Sequence, residues 1–189
     1  MNIKDLKEID GKFYEKESNT PFNGQVEGLA TGTFKDGLPD GNWKEYSEKG
    51  IILSESNYKE GVLNGEFLNY FSDGNLKEKG YLIKGKLEGQ LSEYYKKGQL
   101  KLKQNYKNNK EEGLSESFYE NGKIKEKRNY RNGKLEGDYY YYYSNGKLWI
   151  KNSYKNGVLH GVREVYYDNG ELEKKEEYKN GFNLSKSFH

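Results

Sequence analysis

The sequence predicts an all-β protein, an elongated single-layer antiparallel meander of β-hairpins built from 24-residue repeats. Three observations carry this. Glycine recurs at a fixed 24-residue step from Gly37 through Gly61, Gly85, Gly133, Gly157 and Gly181, with Asn109 in the one remaining place. Two further glycine columns keep the same step, Gly41 to Gly161 and Gly50 to Gly170. Between them lie strand-like runs rich in tyrosine, which favours strands and carries apolar area behind a wet hydroxyl.

The glycine spacing decides between order and disorder. The chain has 189 residues, 32% hydrophobic and 33% charged, a balance that leans towards disorder. Yet it has 19 tyrosines and only 2 prolines, and its 23 glycines are largely placed in columns rather than scattered. A fixed period of this kind is the mark of a repeat protein.

Other columns agree. Tyr46, Tyr70, Tyr94, Phe118, Tyr142 and Tyr166 are all aromatic. Ile52, Leu76, Leu100, Ile124, Leu148 and Leu172 are all aliphatic. Phe34, Tyr58, Leu82, Tyr106, Tyr130, Tyr154 and Tyr178 form a third column. Six repeats and the start of a seventh therefore occupy 34–181. Residues 1–33 fall out of register and are expected to form an irregular cap, with turns at Asp10-Gly11 and Asn23-Gly24. Residues 182–189 form the C-terminal cap or tail.

Each repeat should be two antiparallel strands. Asn-Gly and Asp-Gly pairs are strong hairpin signals, and they come twice per repeat, as at Asn145-Gly146 and Asn156-Gly157. The gaps between them leave no room for a helix and its caps. A three-residue loop with glycine in the left-handed position places Tyr166 opposite Leu172, and Tyr142 opposite Leu148. The lysine column Lys79, Lys103, Lys127, Lys151 and Lys175 is then expected on the other face. About 12–14 strands at ~4.8 Å each give a ribbon ~60 Å long.

Segments such as 58–79, YKEGVLNGEFLNYFSDGNLKEK, and 130–148, YRNGKLEGDYYYYYSNGKL, resemble the MORN repeat in its bacterial variant form. The segment 18–24, SNTPFNG, resembles the stretch that often opens such bacterial proteins, some of which are labelled antitoxin-like. The resemblance implies a hairpin meander without catalytic machinery. It also implies a scaffolding or membrane-associated setting. MORN repeats stand beside the kinase domain of some plant phosphatidylinositol phosphate kinases, so a lipid-kinase label on this chain would be spurious.

Several function classes are excluded or disfavoured by the residues themselves. The formal net charge is +2, which gives no global field for nucleic acid, and none is expected as a partner. There is no cysteine and there are only 2 histidines, so thiolate or histidine-built metal sites are out. No cofactor is expected. No phosphate-loop motif precedes a helix. His160 shares its column with Asp40, Asn64, Glu88, Glu112 and Glu136 and is expected to be a solvated turn residue. An enzyme is not expected. No apolar leader or span is present, and a soluble chain is expected, its compartment unknown.

The strongest local anomaly is 138–149, DYYYYYSNGKLW. Five consecutive tyrosines place rings on both faces of a strand. Tyr139, Tyr141 and Tyr143 fall on the face opposite the regular tyrosine–leucine pairs, with Trp149 nearby. Exposed aromatics of this kind mark partner surfaces. The leading expectation is a non-enzymatic scaffold or adaptor that presents these four residues to another protein. The alternatives are an anionic membrane surface meeting Lys79, Lys103, Lys127, Lys151 and Lys175, or a cell-surface carbohydrate stacking on the exposed rings. Self-association through the edge strands is a further option.

Overall fold

The computed structural model describes residues 1–186, and the end of the expected C-terminal cap lies outside them. These residues form strands and tight turns, with one-turn 3₁₀ segments at Ile3–Asp5 and Leu184–Lys186. Two compact units divide the chain. Of the described residues, unit 1 comprises 1–88 and 96–98, and unit 2 comprises 89–95 and 99–186.

Unit 1 holds β1 (Leu6–Ile9), β2 (Lys12–Glu15), β3 (Gly24–Val26), β4 (Ala30–Lys35) and β5 (Leu38–Tyr46). It continues with β6 (Ile52–Lys59), β7 (Val62–Leu63), β8 (Gly65–Tyr70), β9 (Leu76–Ile83) and β10 (Lys86–Leu87). Unit 2 holds β11 (Gly89–Tyr94), β12 (Leu100–Lys107), β13 (Lys110–Phe118), β14 (Ile124–Arg131), β15 (Lys134–Leu135) and β16 (Gly137–Tyr142). Its remaining strands are β17 (Leu148–Lys155), β18 (Val158–Leu159), β19 (Gly161–Tyr166), β20 (Leu172–Lys179) and β21 (Phe182–Asn183). Within each unit, the strands named pair antiparallel, each with a near neighbour along the chain.

Two kinds of turn alternate. In the first, Lys155 lies opposite Val158, so Asn156-Gly157 is a two-residue loop, with φ of 52° and 83°. Both values are left-handed, as a type I′ hairpin requires, and asparagine and glycine tolerate them best. In the second, Tyr167 N–H donates to Glu171 O at 2.9 Å and Gly170 N–H donates back to Tyr167 O at 2.9 Å. That is the expected three-residue loop closed by a left-handed glycine. Tyr166 indeed faces Leu172, and Tyr142 faces Leu148.

The lysine column sits on a different face from the one expected. Between Val165 and Tyr166 the register shifts, because Glu173 is an extra residue on β20. The same bulge recurs with Leu53, Lys77, Lys101, Lys125 and Trp149 as the extra residue. One extra residue reverses the alternation of faces beyond it. Lys175 therefore lies opposite Glu164, on the same face as Tyr166. Glu164 accepts hydrogen bonds from both the Tyr166 phenol and the Lys175 ammonium, each at 2.9 Å.

In unit 1 the first residues form a lid over the opposite face. Leu6, Phe22, Val26, Ala30, Phe34 and Trp43 make one apolar cluster, with Ile3, Phe13 and Tyr58 packed against it. The Phe34 ring sits 4.8 Å from Phe13 and 5.0 Å from Trp43, centroid to centroid. Of the two turns expected in this segment, Asp10-Gly11 closes the β1–β2 hairpin, where Ile9 pairs with Lys12. Asn23-Gly24 joins no hairpin: Gly24 opens β3, and the Asn23 side chain accepts the Asp36 N–H at 2.7 Å.

Candidate functional site

Unit 2 has no comparable apolar lid. The face that carries the core in unit 1 here presents a polar row. Successive pairings line up Leu91, Gln104, Ser115, Arg128, Tyr139 and Asn152 across the strands. Gln104, Ser115 and Asn152 are buried, so the row is held by neighbouring side chains rather than by a second layer. Tyr139 packs edge-on against Tyr154 at 6.0 Å, and its phenol donates to Glu126 at 3.2 Å. Burial, reinforced by the Glu126 carboxylate, pushes the Tyr139 phenol well above the usual range.

Beside this row, at the looped ends of the strands, the aromatic side chains gather. Trp149 is the extra residue of the bulge on β17, and the bulge turns its indole towards the Tyr141 and Tyr143 face. Tyr143 stacks on it at 5.1 Å with an interplanar angle of 19°. Tyr141 meets it edge to face at 5.3 Å. Trp149 remains 37% exposed even so, whereas Trp43 in unit 1 is 7% exposed. Tyr141, Tyr143 and Trp149 thus form one group, and Tyr139 belongs to the adjoining buried row.

Two neighbours extend the group. Lys125, the bulge residue of the preceding repeat, places its ammonium 5.9 Å from the centres of both the Tyr119 and Tyr141 rings. Tyr119 and Tyr143 are fixed by their hydroxyls. Tyr119 donates to Tyr142 O at 2.6 Å and Tyr143 donates to Tyr166 O at 2.9 Å. Tyr95 makes the same bond to Phe118 O at 2.8 Å. Burial and the Tyr141 hydroxyl push the Tyr119 phenol up to about 12. This latch column of Tyr95, Tyr119 and Tyr143 was not singled out from the sequence, although its 24-residue step was there to be read.

The lysine column is largely engaged along its own face. Lys127 pairs with Glu116 at 3.1 Å and Lys175 with Glu164 at 2.9 Å. The Lys151 ammonium lies 5.9 Å from the Tyr140 ring centre. Lys79 stands opposite Leu68, and Lys103 opposite Ser92.

The turn column around His160 has a structural job. Glu112 and Glu136 accept the backbone N–H groups of Asn132 and Asn156, each at 2.8 Å. Asp40 and Asn64 do the same for Glu60 and Lys84, both at 3.1 Å. His160 Nδ1 accepts from Asn180 N–H at 3.4 Å. Among the described residues, no group of three or more His, Cys, Asp or Glu side chains is placed to hold a metal ion. Among the same residues, no helix is long and apolar enough to cross a membrane.

A family model described as the MORN repeat variant matches six consecutive segments: 39–60, 63–84, 87–108, 111–132, 135–156 and 159–180. Each matched segment begins just after a two-residue turn and ends on the first residue of the next. No curated protein matches the chain.

Proposed function

Because the chain belongs to the MORN repeat variant family, a non-catalytic repeat family whose members are generally protein- or membrane-interaction modules, we propose that it is a scaffold or adaptor that binds another protein. Its contact surface is the aromatic group of unit 2, centred on Trp149 with Tyr141 and Tyr143, and bordered by Tyr139. The observation that carries this is the exposed Trp149 ring braced on two sides by tyrosines. Large rigid aromatics lose little side-chain entropy on binding, and they dominate interface energies.

The membrane alternative draws less support. A lysine ladder acts on anionic lipid through unpaired charge, and here Lys127 and Lys175 are matched by Glu116 and Glu164. The test is affinity capture with the wild type and with a Tyr141→Ala/Trp149→Ala variant of equal melting temperature. The reading predicts at least one protein recovered by the wild type and lost from the variant. Equal recovery of every protein rules these residues out as the contact surface.

A further inference from the structure

The aromatic surface has a repeat of its own, and the spacing constrains what lies on it. Lys125, Trp149 and Glu173 are the bulge residues of three successive repeats. Tyr119, Tyr143 and Tyr167 follow the strands of the same three repeats. Successive members of either set are two strands apart, about 9.6 Å at ~4.8 Å per strand. A ligand crossing the strands at right angles meets a tyrosine every ~9.6 Å. A polyproline II helix has three residues per turn and rises ~3.1 Å per residue, so it shows the same side every ~9.3 Å. An extended β-strand rises ~3.3 Å per residue with a period of two, and falls out of step within one repeat.

Resting on the reading of this surface as a protein-contact site, we infer that its partner segment is a proline-rich peptide in the polyproline II conformation with a basic residue at one end. Every third residue of that peptide packs into the hollows between Tyr119, Tyr143 and Tyr167. The latch bonds hold Tyr119 and Tyr143 as fixed ridges, and Tyr167 is 49% exposed. A polyproline helix makes no internal hydrogen bonds, so its carbonyls need outside donors. The Trp149 indole N–H is such a donor, and among the described residues it donates to no acceptor. The strip is also polar in charge along its length. Lys125 is the bulge residue at one end, and Glu173 is its counterpart two repeats on, with Asp168 next to Tyr167 in the chain. From Lys125 to Glu173 is four strands, about 19 Å, the length of roughly six residues of the helix. The peptide's basic residue therefore meets Glu173 and Asp168, and this fixes its direction.

The experiment titrates the full chain with a synthetic peptide of about four Pro-x-x units ending in arginine. The readouts are Trp149 fluorescence in a Trp43→Phe background and calorimetry. Saturable binding is expected, weakened at least about tenfold by Trp149→Ala. Glu173→Lys should weaken it several-fold, and only while the arginine is present. No binding at millimolar peptide, equal binding of a scrambled peptide with its prolines replaced by alanine, or saturation by an oligosaccharide instead overturns the inference. Should the wild type still capture a protein that Tyr141→Ala/Trp149→Ala loses while ignoring proline-rich peptides, only the ligand class falls and the contact surface stands.

Discussion

The phenol of Tyr119 donates to the backbone carbonyl of Tyr142, one repeat further along, at 2.6 Å. The same bond joins Tyr95 to Phe118 and Tyr143 to Tyr166. In a protein whose repeats touch only their neighbours, stability is set by such interfaces.

Tyr119→Phe removes this bond and leaves a part-buried carbonyl without its donor. A loss of about 1 kcal/mol is expected, read from the urea midpoint at unchanged slope. Phe71 occupies the equivalent place in an earlier repeat, so the ring itself is tolerated. The latches are well separated, so combining Tyr95→Phe, Tyr119→Phe and Tyr143→Phe should give a near-additive ~3 kcal/mol.

Part-buried phenols, Tyr119 among them, make the protein sensitive to alkali. Tyr119 and Tyr70 are raised to about 12, first by burial and then by the neighbouring Tyr141 hydroxyl and Glu55 carboxylate respectively. A group with a raised folded value contributes stability that is complete below its unfolded value, about 10. That contribution is lost as pH climbs towards 12. The melting temperature should fall from about pH 10 upward, and less steeply in Tyr119→Phe. An unchanged pH profile in that variant would remove Tyr119 from the explanation.

Glu176 gives the acid side. It is buried, and hydrogen bonding from Lys174 lowers its carboxyl first, with Asn183 and the Arg163 charge adding to the effect against burial. A lowered folded value means stability that is present above the ordinary carboxylate range and lost as pH falls below it. Glu176→Gln should flatten the decline in melting temperature below about pH 4.

His160→Glu restores the carboxylate that Glu112 and Glu136 provide in earlier repeats. The Asn180 N–H then gains an acceptor as close as the 2.8 Å seen for Asn132 and Asn156. A gain of a few tenths to about 1 kcal/mol is expected in urea unfolding.

Gly32→Ala tests the lid core. A Cβ at this position would lie 2.4 Å from the Trp43 ring, so the indole must move. Overpacking of this kind costs about 1–3 kcal/mol, and the blue-shifted emission of a buried indole should move to the red. Unchanged stability and emission would mean that the Phe34–Trp43 packing is looser than described.

Much of the architecture was legible in the letters because glycine and asparagine mark backbone geometry directly. The left-handed turns at Asn156-Gly157 and Gly170 fix loop length, and loop length fixes the pairing of Tyr166 with Leu172. The bulge was not legible. Its extra residue is Leu53, Lys77, Lys101, Lys125, Trp149 or Glu173, with no shared chemistry and no effect on the 24-residue step. That one residue sets the face of everything after it, which is why Lys175 lies beside Tyr166. The lid over Phe34 and Trp43 was also hidden, since residues 1–22 follow no period. The clustering of Tyr141, Tyr143 and Trp149 could be anticipated from strand alternation, whereas the Tyr119 and Lys125 border needed the pairings across strands.

The most direct measurement is acrylamide quenching of Trp149 in a Trp43→Phe chain, with and without a captured partner. Strong quenching when free and marked protection when bound is the predicted result. A partner that binds while Trp149 stays equally open to the quencher would contradict the assignment of this surface.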